Sequence, residues 1–295
     1  TKFIVNSYGG NQGVITMKNT YNGFGQALYG ILLPERAATI VQGYNAYNGV
    51  GEINIESTTE NSKVKLIGMG TKKFNSSSYR NVLINSQGSI SGKISITAKA
   101  GTVYGMNGAS LFNAYSGDSY STTASISLKN SNGDAIGMYG LENGLIANSY
   151  IVQGASGSSG AITIDNIGNS IAATGIKSST GSASNVFNSY SNGGRGVSVG
   201  NIAITGKGIG ISSYGNGLIF NAYAKNSSQA NKGTIEITGN SGVGIENNGS
   251  GAIFNAYQSG GTGTTTGTVT INGMGVGIAN NNSGSGVIFN GYGSN

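Results

Sequence analysis

"AIFNAY", Ala252 to Tyr257, returns 35 residues later as "VIFNGY", Val287 to Tyr292, and itself begins 34 residues after "LIFNAY", Leu218 to Tyr223. A phrase that recurs at a near-fixed interval marks a structural period before it marks any chemistry. With its Asn as marker the copies fall at Asn6, Asn45, Asn85, Asn113, Asn148, Asn188, Asn221, Asn255 and Asn290, separated by 39, 40, 28, 35, 40, 33, 34 and 35 residues. Tyr follows two residues later in eight of the nine copies, at Tyr8, Tyr47, Tyr115, Tyr150, Tyr190, Tyr223, Tyr257 and Tyr292, with Gln87 the exception. The residue between them is always Ala, Ser or Gly.

Two further phrases lie inside each interval. One is a pair of aliphatic residues two apart: Ile15 and Met17, Ile53 and Ile55, Ile94 and Ile96, Ile126 and Leu128, and so on to Val269 and Ile271. Period two is the signature of a strand with one buried face. The other is short and glycine-flanked: "GIGI" at 208–211, "GVGI" at 242–245 and 275–278, with the looser "AIGM" at 135–138. Glycines bracket all three, as tight corners demand.

Three short strands that cannot close a core alone, repeated on near-identical neighbours, predict an all-β fold: a β-solenoid, or parallel β-helix, with coils about 4.8 Å apart. The expectation is a single domain over 1–295, with three strands per coil and about eight coils of roughly 35 residues. An irregular excursion is expected around 24–40, where "ALYGILLPERAAT" carries the one Pro of the chain, Pro34. The loops after each Tyr, such as 156–160, 224–231 and 258–266, vary in length and are expected on one edge of the rod, where any binding specificity would be displayed.

Composition excludes whole classes of chemistry. These 295 residues hold 53 Gly and no Cys or His, which removes disulfides, thiol nucleophiles, His-dependent triads and the usual zinc ligand sets. The net charge of +6 is spread thinly, with Lys72 and Lys73 the densest basic pair, so no stripe for nucleic acid is drawn. The longest apolar run, 27–33, is far short of the ~20 residues a membrane-spanning helix needs. Glu52, Glu56 and Glu60 lie close in sequence but read as surface charges, and no glycine run completes a phosphate loop, a GxGxxG pattern or a calcium-binding GGxGxD. No catalytic, cofactor or metal residues are assigned.

Aliphatic, Asn and Tyr of the opening phrase share parity, so they are expected on one face. Stacked coil on coil, the amides would form a hydrogen-bonded ladder and the rings a stack. Buried, the ladder satisfies backbone groups at a coil corner. Exposed, it is an Asn and Tyr array for sugar rings. The Phe before Asn in Phe112, Phe187, Phe220, Phe254 and Phe289 is then expected on the opposite side, where an apolar ladder would need a cover.

"GTIEITGNSGVGIENNGSGAIFNAY", 233–257, resembles the imperfect repeats of bacterial surface-exported β-helix proteins, the autotransporter passenger domains and filamentous two-partner-secreted adhesins. The resemblance implies an extracellular or surface-anchored stalk or adhesin without a cofactor. No catalytic residue carries over. Since "FIVNSY" opens the chain and "VIFNGY" closes it, the expectation is self-association end to end, or continuation in a longer chain. Host-cell or glycan surfaces are the other expected partners. The alternative from a different class is a carbohydrate-active or glycan-binding β-helix, of lyase or tailspike-like type, which would gather its carboxylates in a groove.

Overall fold

A computed structural model of the chain describes residues 2–6, 12–19, 29–33, 38–42, 50–57, 63–67, 82–85, 91–98, 103–107, 110–116, 122–130, 139–142, 145–151, 157–167, 174–178, 185–192, 197–213, 217–281 and 285–294. Among these residues there is no helix; every element is a strand, and every strand pairing is parallel. The fold is a β-solenoid.

Its walls follow from the three phrases. The aliphatic pairs build an eight-stranded isoleucine sheet running from Gln12–Asn19 through Ser158–Asn166, Ser198–Gly206 and Asn231–Gly239 to Thr265–Gly273. The opening phrase builds an asparagine sheet, whose main path runs from Lys2–Asn6 through Asn185–Asn192, Leu218–Lys225 and Ala252–Asn255 to Val287–Asn290. The glycine-flanked phrase builds the third side. That side is split into a three-stranded sheet ending at Val103–Asn107 and a five-stranded sheet from Tyr139–Glu142 to Val276–Asn280. Along these paths each strand pairs with the third one after it in the chain, except into the last rung, where the short strand Gln258–Ser259 makes the step four.

Period two does the work in the isoleucine sheet. Ile162, Ile164, Ile202, Ile204, Ile235 and Ile237 stack in register and are at most 2 % exposed, while the residues between them face out. Burying a side chain of this size stabilises by about 1.5–3 kcal/mol. In the five-stranded side sheet, "GxGI" has a steric cause. A Cβ on Gly210 would lie 2.6 Å from the Gly244 carbonyl oxygen of the next rung, and one on Gly244 2.6 Å from that of Gly277. The N-terminal side strands lack this phrase, and their register shifts near Tyr29 and Lys65.

One marker of the repeat is corrected here. Within the stretch 24–40, Tyr29–Leu33 is a side strand with a register shift near Tyr29, and Ala38–Gln42 pairs with Lys2–Asn6. In that rung the register partner of Asn6 and Asn85 is Gln42, not Asn45. Asn45 and Tyr47 lie outside the described residues. "ATIVQGY" at 38–44 is thus the copy, three residues earlier than "YNAY", and Gly43 two before Asn45 was the one non-aliphatic residue at that position.

The loops after Tyr223 and Tyr257 are paired to each other, with Ser228, Gln229 and Ala230 exposed. Segments 224–231 and 258–264 stack on each other as strands do: the backbone N–H groups of Ala224, Asn226 and Asn231 donate to the carbonyls of Tyr257, Ser259 and Thr264 at 2.8–3.0 Å. Ser227 and Gln258 are buried. Segment 158–160 already belongs to a strand. Backbone groups left in these connections find partners on the next rung, so the connections pack as part of the wall.

Candidate functional site

The recurring Asn is a core residue. Asn113, Asn148, Asn188, Asn221 and Asn255 are all 0 % exposed, and their amides form a one-way chain. Each Nδ2 donates to the Oδ1 of the next rung, Asn113 to Asn148, then Asn188, Asn221, Asn255 and Asn290, at 2.8–2.9 Å. The same nitrogens also bridge to the isoleucine sheet. Asn188 reaches the carbonyls of Gly160 and Asn201 at 3.0 and 3.2 Å, and Asn221 those of Gly200 and Thr234 at 2.9 and 3.2 Å. The ladder is therefore a polar spine that ties two sheets at one corner, with its buried amides satisfied.

Close approach of the sheets requires a partner column that sequence reasoning did not single out. A Cβ on Gly160, Gly200, Gly233 or Gly267 would lie 2.1–2.2 Å from the Oδ1 of the Asn facing it. Gly92 stands in the same column, and Ala124 is its one described departure between Gly92 and Gly267. The signal was present: a Gly lies two residues before the first aliphatic residue of most pairs, as in "SVGNIAI" and "NKGTIEI".

The shared parity of Asn and Tyr is overturned. The small residue between them has positive φ: 51° at Ser149 and Ser189, 50° at Ala222, 46° at Ala256 and 62° at Gly291. A left-handed residue breaks the alternation of a strand, and since only Gly adopts it free of Cβ strain, the rungs on either side hold Ser149, Ser189, Ala222 and Ala256 in it. Asn221 and Ala222 are both buried, and Tyr223 emerges on the outer side beside Phe220. Phe and Tyr therefore share one face, which dissolves the expected separation.

That face is a double aromatic ladder. Phe187, Phe220, Phe254 and Phe289 stack with centroids 4.7–5.1 Å apart, and Tyr190, Tyr223, Tyr257 and Tyr292 with centroids 4.7–5.4 Å apart. Each Phe meets the Tyr of its own rung edge to face at 5.1–5.4 Å. Such pairs contribute about 0.5–1.5 kcal/mol each beyond burial. Nearly parallel stacking covers the ring faces with neighbouring rings and leaves edges outward. A sugar that stacks on aromatic faces finds them occupied along this ladder; Phe289 and Tyr292 end it.

The remaining predicted residues divide plainly. Asn6 and Asn85 stand at the ladder register, and Tyr115, Tyr150 and Tyr190 pair in register. Tyr8 lies outside the described residues. Asn290 and Tyr292 are exposed in the last described rung.

Among the described residues the carboxylates form no acid and base pair. Lys93 holds Glu52 at 3.0 Å and Lys18 holds Glu56 at 3.4 Å. The Lys93 hydrogen bond, then that from Asn54, keep Glu52 below the ordinary carboxylate range, which suits an anion and not a proton donor. Burial raises Asp165, partly offset by Lys129. Glu60 lies outside the described residues. Among the described residues no group of three His, Cys, Asp or Glu could hold a metal, and no helix is long and apolar enough to cross a membrane. On the outer face of the isoleucine sheet, Glu52, Lys93, Ser125 and Asn201 border a shallow groove of about 430 Å³ that glycines and alanines also line. No protein-family model, curated protein or solved structure matches the chain.

Proposed function

We propose that the chain is an extracellular structural solenoid of a bacterial cell surface, a stalk or fibre-forming adhesive subunit that stacks end to end and catalyses nothing. Its unit is a coil of three strands, repeated about eight times at roughly 35 residues, a reading supported by the step of three in the strand order. Complete absence of Cys suits export through an oxidising compartment.

One observation carries this reading: the last described rung, Thr265–Gly273 with Val276–Asn280 and Val287–Asn290, keeps the register of the rungs before it and so fits a further coil, of a longer chain or of another copy. Met274, Val276, Ile278, Val287, Ile288 and Tyr292 are 40–81 % exposed there. Parallel strands with an apolar interior edge are a template for another coil. The first coil of a second copy carries the matching register, since Ile4 and Asn6 occupy the positions of Ile288 and Asn290, and Gly13, Ile15 and Met17 those of Gly267, Val269 and Ile271. A contact between unlike ends propagates as a filament.

Electron microscopy and light scattering of the purified chain test it. Filaments or head-to-tail oligomers are expected, and Val276→Lys, which places a charge on the last described rung, disperses them. A folded, dispersed wild-type monomer at high concentration overturns the reading.

Glycan binding is the second reading, supported by the shallow groove that Glu52, Lys93 and Asn201 border. Calorimetric titration with soluble acidic and neutral oligosaccharides tests it. Saturable heat that Lys93→Ala and Asn201→Ala abolish supports it, and its absence removes it.

A further inference from the structure

Beside the amide spine, where the chain passes from the asparagine sheet into the isoleucine sheet, a second polar column points inward. Ser158, Ser198 and Asn231 stand there in register, two residues before Gly160, Gly200 and Gly233, and all three are buried. Hydroxyls close its lower part. Ser158 and Ser189 share a hydrogen bond between their Oγ atoms at 2.9 Å, Ser189 Oγ donates to the Ser158 carbonyl at 2.7 Å, and Ser198 Oγ lies 3.2 Å from Ser158 Oγ.

Asn231 is not closed in this way. A Cβ on Gly160 would lie 3.0 Å from the Ser189 nitrogen and one on Gly233 2.8 Å from the Ala256 nitrogen, so the residue that faces Asn231, as Ser189 faces Ser158, is an alanine. Likewise Ala224, not a serine, stands one rung above Ser191 on the adjoining strand. The Asn231 backbone N–H donates to the Thr264 carbonyl at 2.8 Å. Its side chain is 1 % exposed and has no protein partner at either Nδ2 or Oδ1, and the Oγ of fully buried Ser191 has none either. Groups left in that state weigh against the fold unless something small meets them.

The carboxamide asks for an acceptor and a donor at once. A cation would serve Oδ1 and repel the Nδ2 hydrogens, and the columns of Ser158 and Ser191 carry no charged side chain on these rungs to balance it. An apolar group would serve neither atom. Water both donates and accepts, and each alanine withdraws a hydroxyl that a serine lower in its column supplies. We propose that this corner binds internal water, with both ends of the Asn231 carboxamide and the Ser191 Oγ as its ligands. It exchanges with solvent when the connection over it opens, where Ser228, Gln229 and Ala230 are exposed. The site lies within the wall, so the proposal is independent of filament formation.

The test uses the nitrogen-labelled full chain carrying Val276→Lys, which keeps it dispersed. Cross-relaxation between water and the Asn231 side-chain NH₂ is measured by NMR in the laboratory and rotating frames, and oxygen-17 relaxation dispersion of the solvent counts long-lived waters. Cross-peaks of opposite sign in the two frames, the mark of a bound water, are expected at Asn231. They persist in Ser198→Ala, which removes the neighbouring hydroxyl as a relay. Asn231→Leu, if it retains the circular dichroism of the parent, lowers the dispersion amplitude by at least one water, whereas Ser228→Ala on the exposed connection leaves it unchanged. No cross-peak at the Asn231 NH₂, its loss in Ser198→Ala, or an unchanged amplitude in folded Asn231→Leu overturns the proposal.

Discussion

Two corners of the same coil solve one problem in opposite ways. Where the asparagine sheet meets the isoleucine sheet, a side-chain amide spans the gap, bonds to carbonyls on two rungs and to its neighbours above and below, and a glycine column lets the walls approach. Where the asparagine sheet meets the side sheet, isoleucines meet isoleucines and leave a slot. Directional bonds with several fixed partners set the spacing of the walls at the first corner. Non-directional apolar contact sets no such spacing at the second, and the space persists.

The comparison breaks most readily at the spine. Asn221→Leu removes the amide that bonds Gly200, Thr234 and Asn255 and that accepts from Asn188. With buried partners left unsatisfied at about 1–3 kcal/mol each, a loss of at least about 3 kcal/mol is expected in denaturant unfolding. Ile245→Ala at the slot, where the wall already borders a void, costs nearer the low end of the about 2–5 kcal/mol usual for such truncations. Equal costs would erase the distinction.

Gly200→Val tests closeness at the same corner. Its Cβ would stand 2.2 Å from Asn221 Oδ1 and 2.8 Å from the Ala222 nitrogen, so overpacking by about 1–3 kcal/mol is expected. Gly200→Ala costs less, because Ala124 occupies the same column beside Asn148. The thermal midpoints of the two variants check this order.

Enlargement sharpens the contrast further. Ile237→Phe forces a longer side chain into a fully buried site and destabilises by about 1–3 kcal/mol. Ile253→Phe points into the slot and is expected to change stability by less than about 1 kcal/mol. If both lose stability alike, the slot is not open space.

The smallest effect concerns the aromatic ladder outside the spine. Burial, more than the Tyr257 neighbour and against the Ser259 hydrogen bond, raises the Tyr223 phenol above its ordinary value of 10.0. The folded chain then holds this proton more firmly than the unfolded chain does. Stability is full below that ordinary value and declines as pH rises through it. Tyr223→Phe should flatten part of this alkaline decline, measured as unfolding free energy against pH.

The architecture was legible because period two and the repeat interval both follow from backbone geometry. Every aliphatic pair from Ile94 and Ile96 to Ile235 and Ile237 points inward as its spacing demands. What failed was local conformation. Parity placed Asn221 and Tyr223 on one face, but parity assumes an unbroken strand, and the left-handed Ala222 between them breaks it. The invariably small residue of the phrase was the available sign. Likewise Gln42 escaped notice because the marker was an Asn, whereas the register answers to any carboxamide preceded two residues earlier by an aliphatic side chain, here Ile40. The slot left no trace in the sequence, since the isoleucines that border it have the same spacing as those that pack closely.

Side-chain amide hydrogen exchange, followed by NMR in the folded, nitrogen-labelled chain, addresses the central claim most directly. If the recurring Asn is a buried spine, the side-chain NH₂ groups of Asn188, Asn221 and Asn255 exchange as slowly as the backbone of the inward isoleucines, while that of Asn201, exposed on the outer face of the isoleucine sheet, exchanges rapidly. Fast exchange at Asn188 and Asn221, at the rate of Asn201, would show that the ladder faces water and contradict the account.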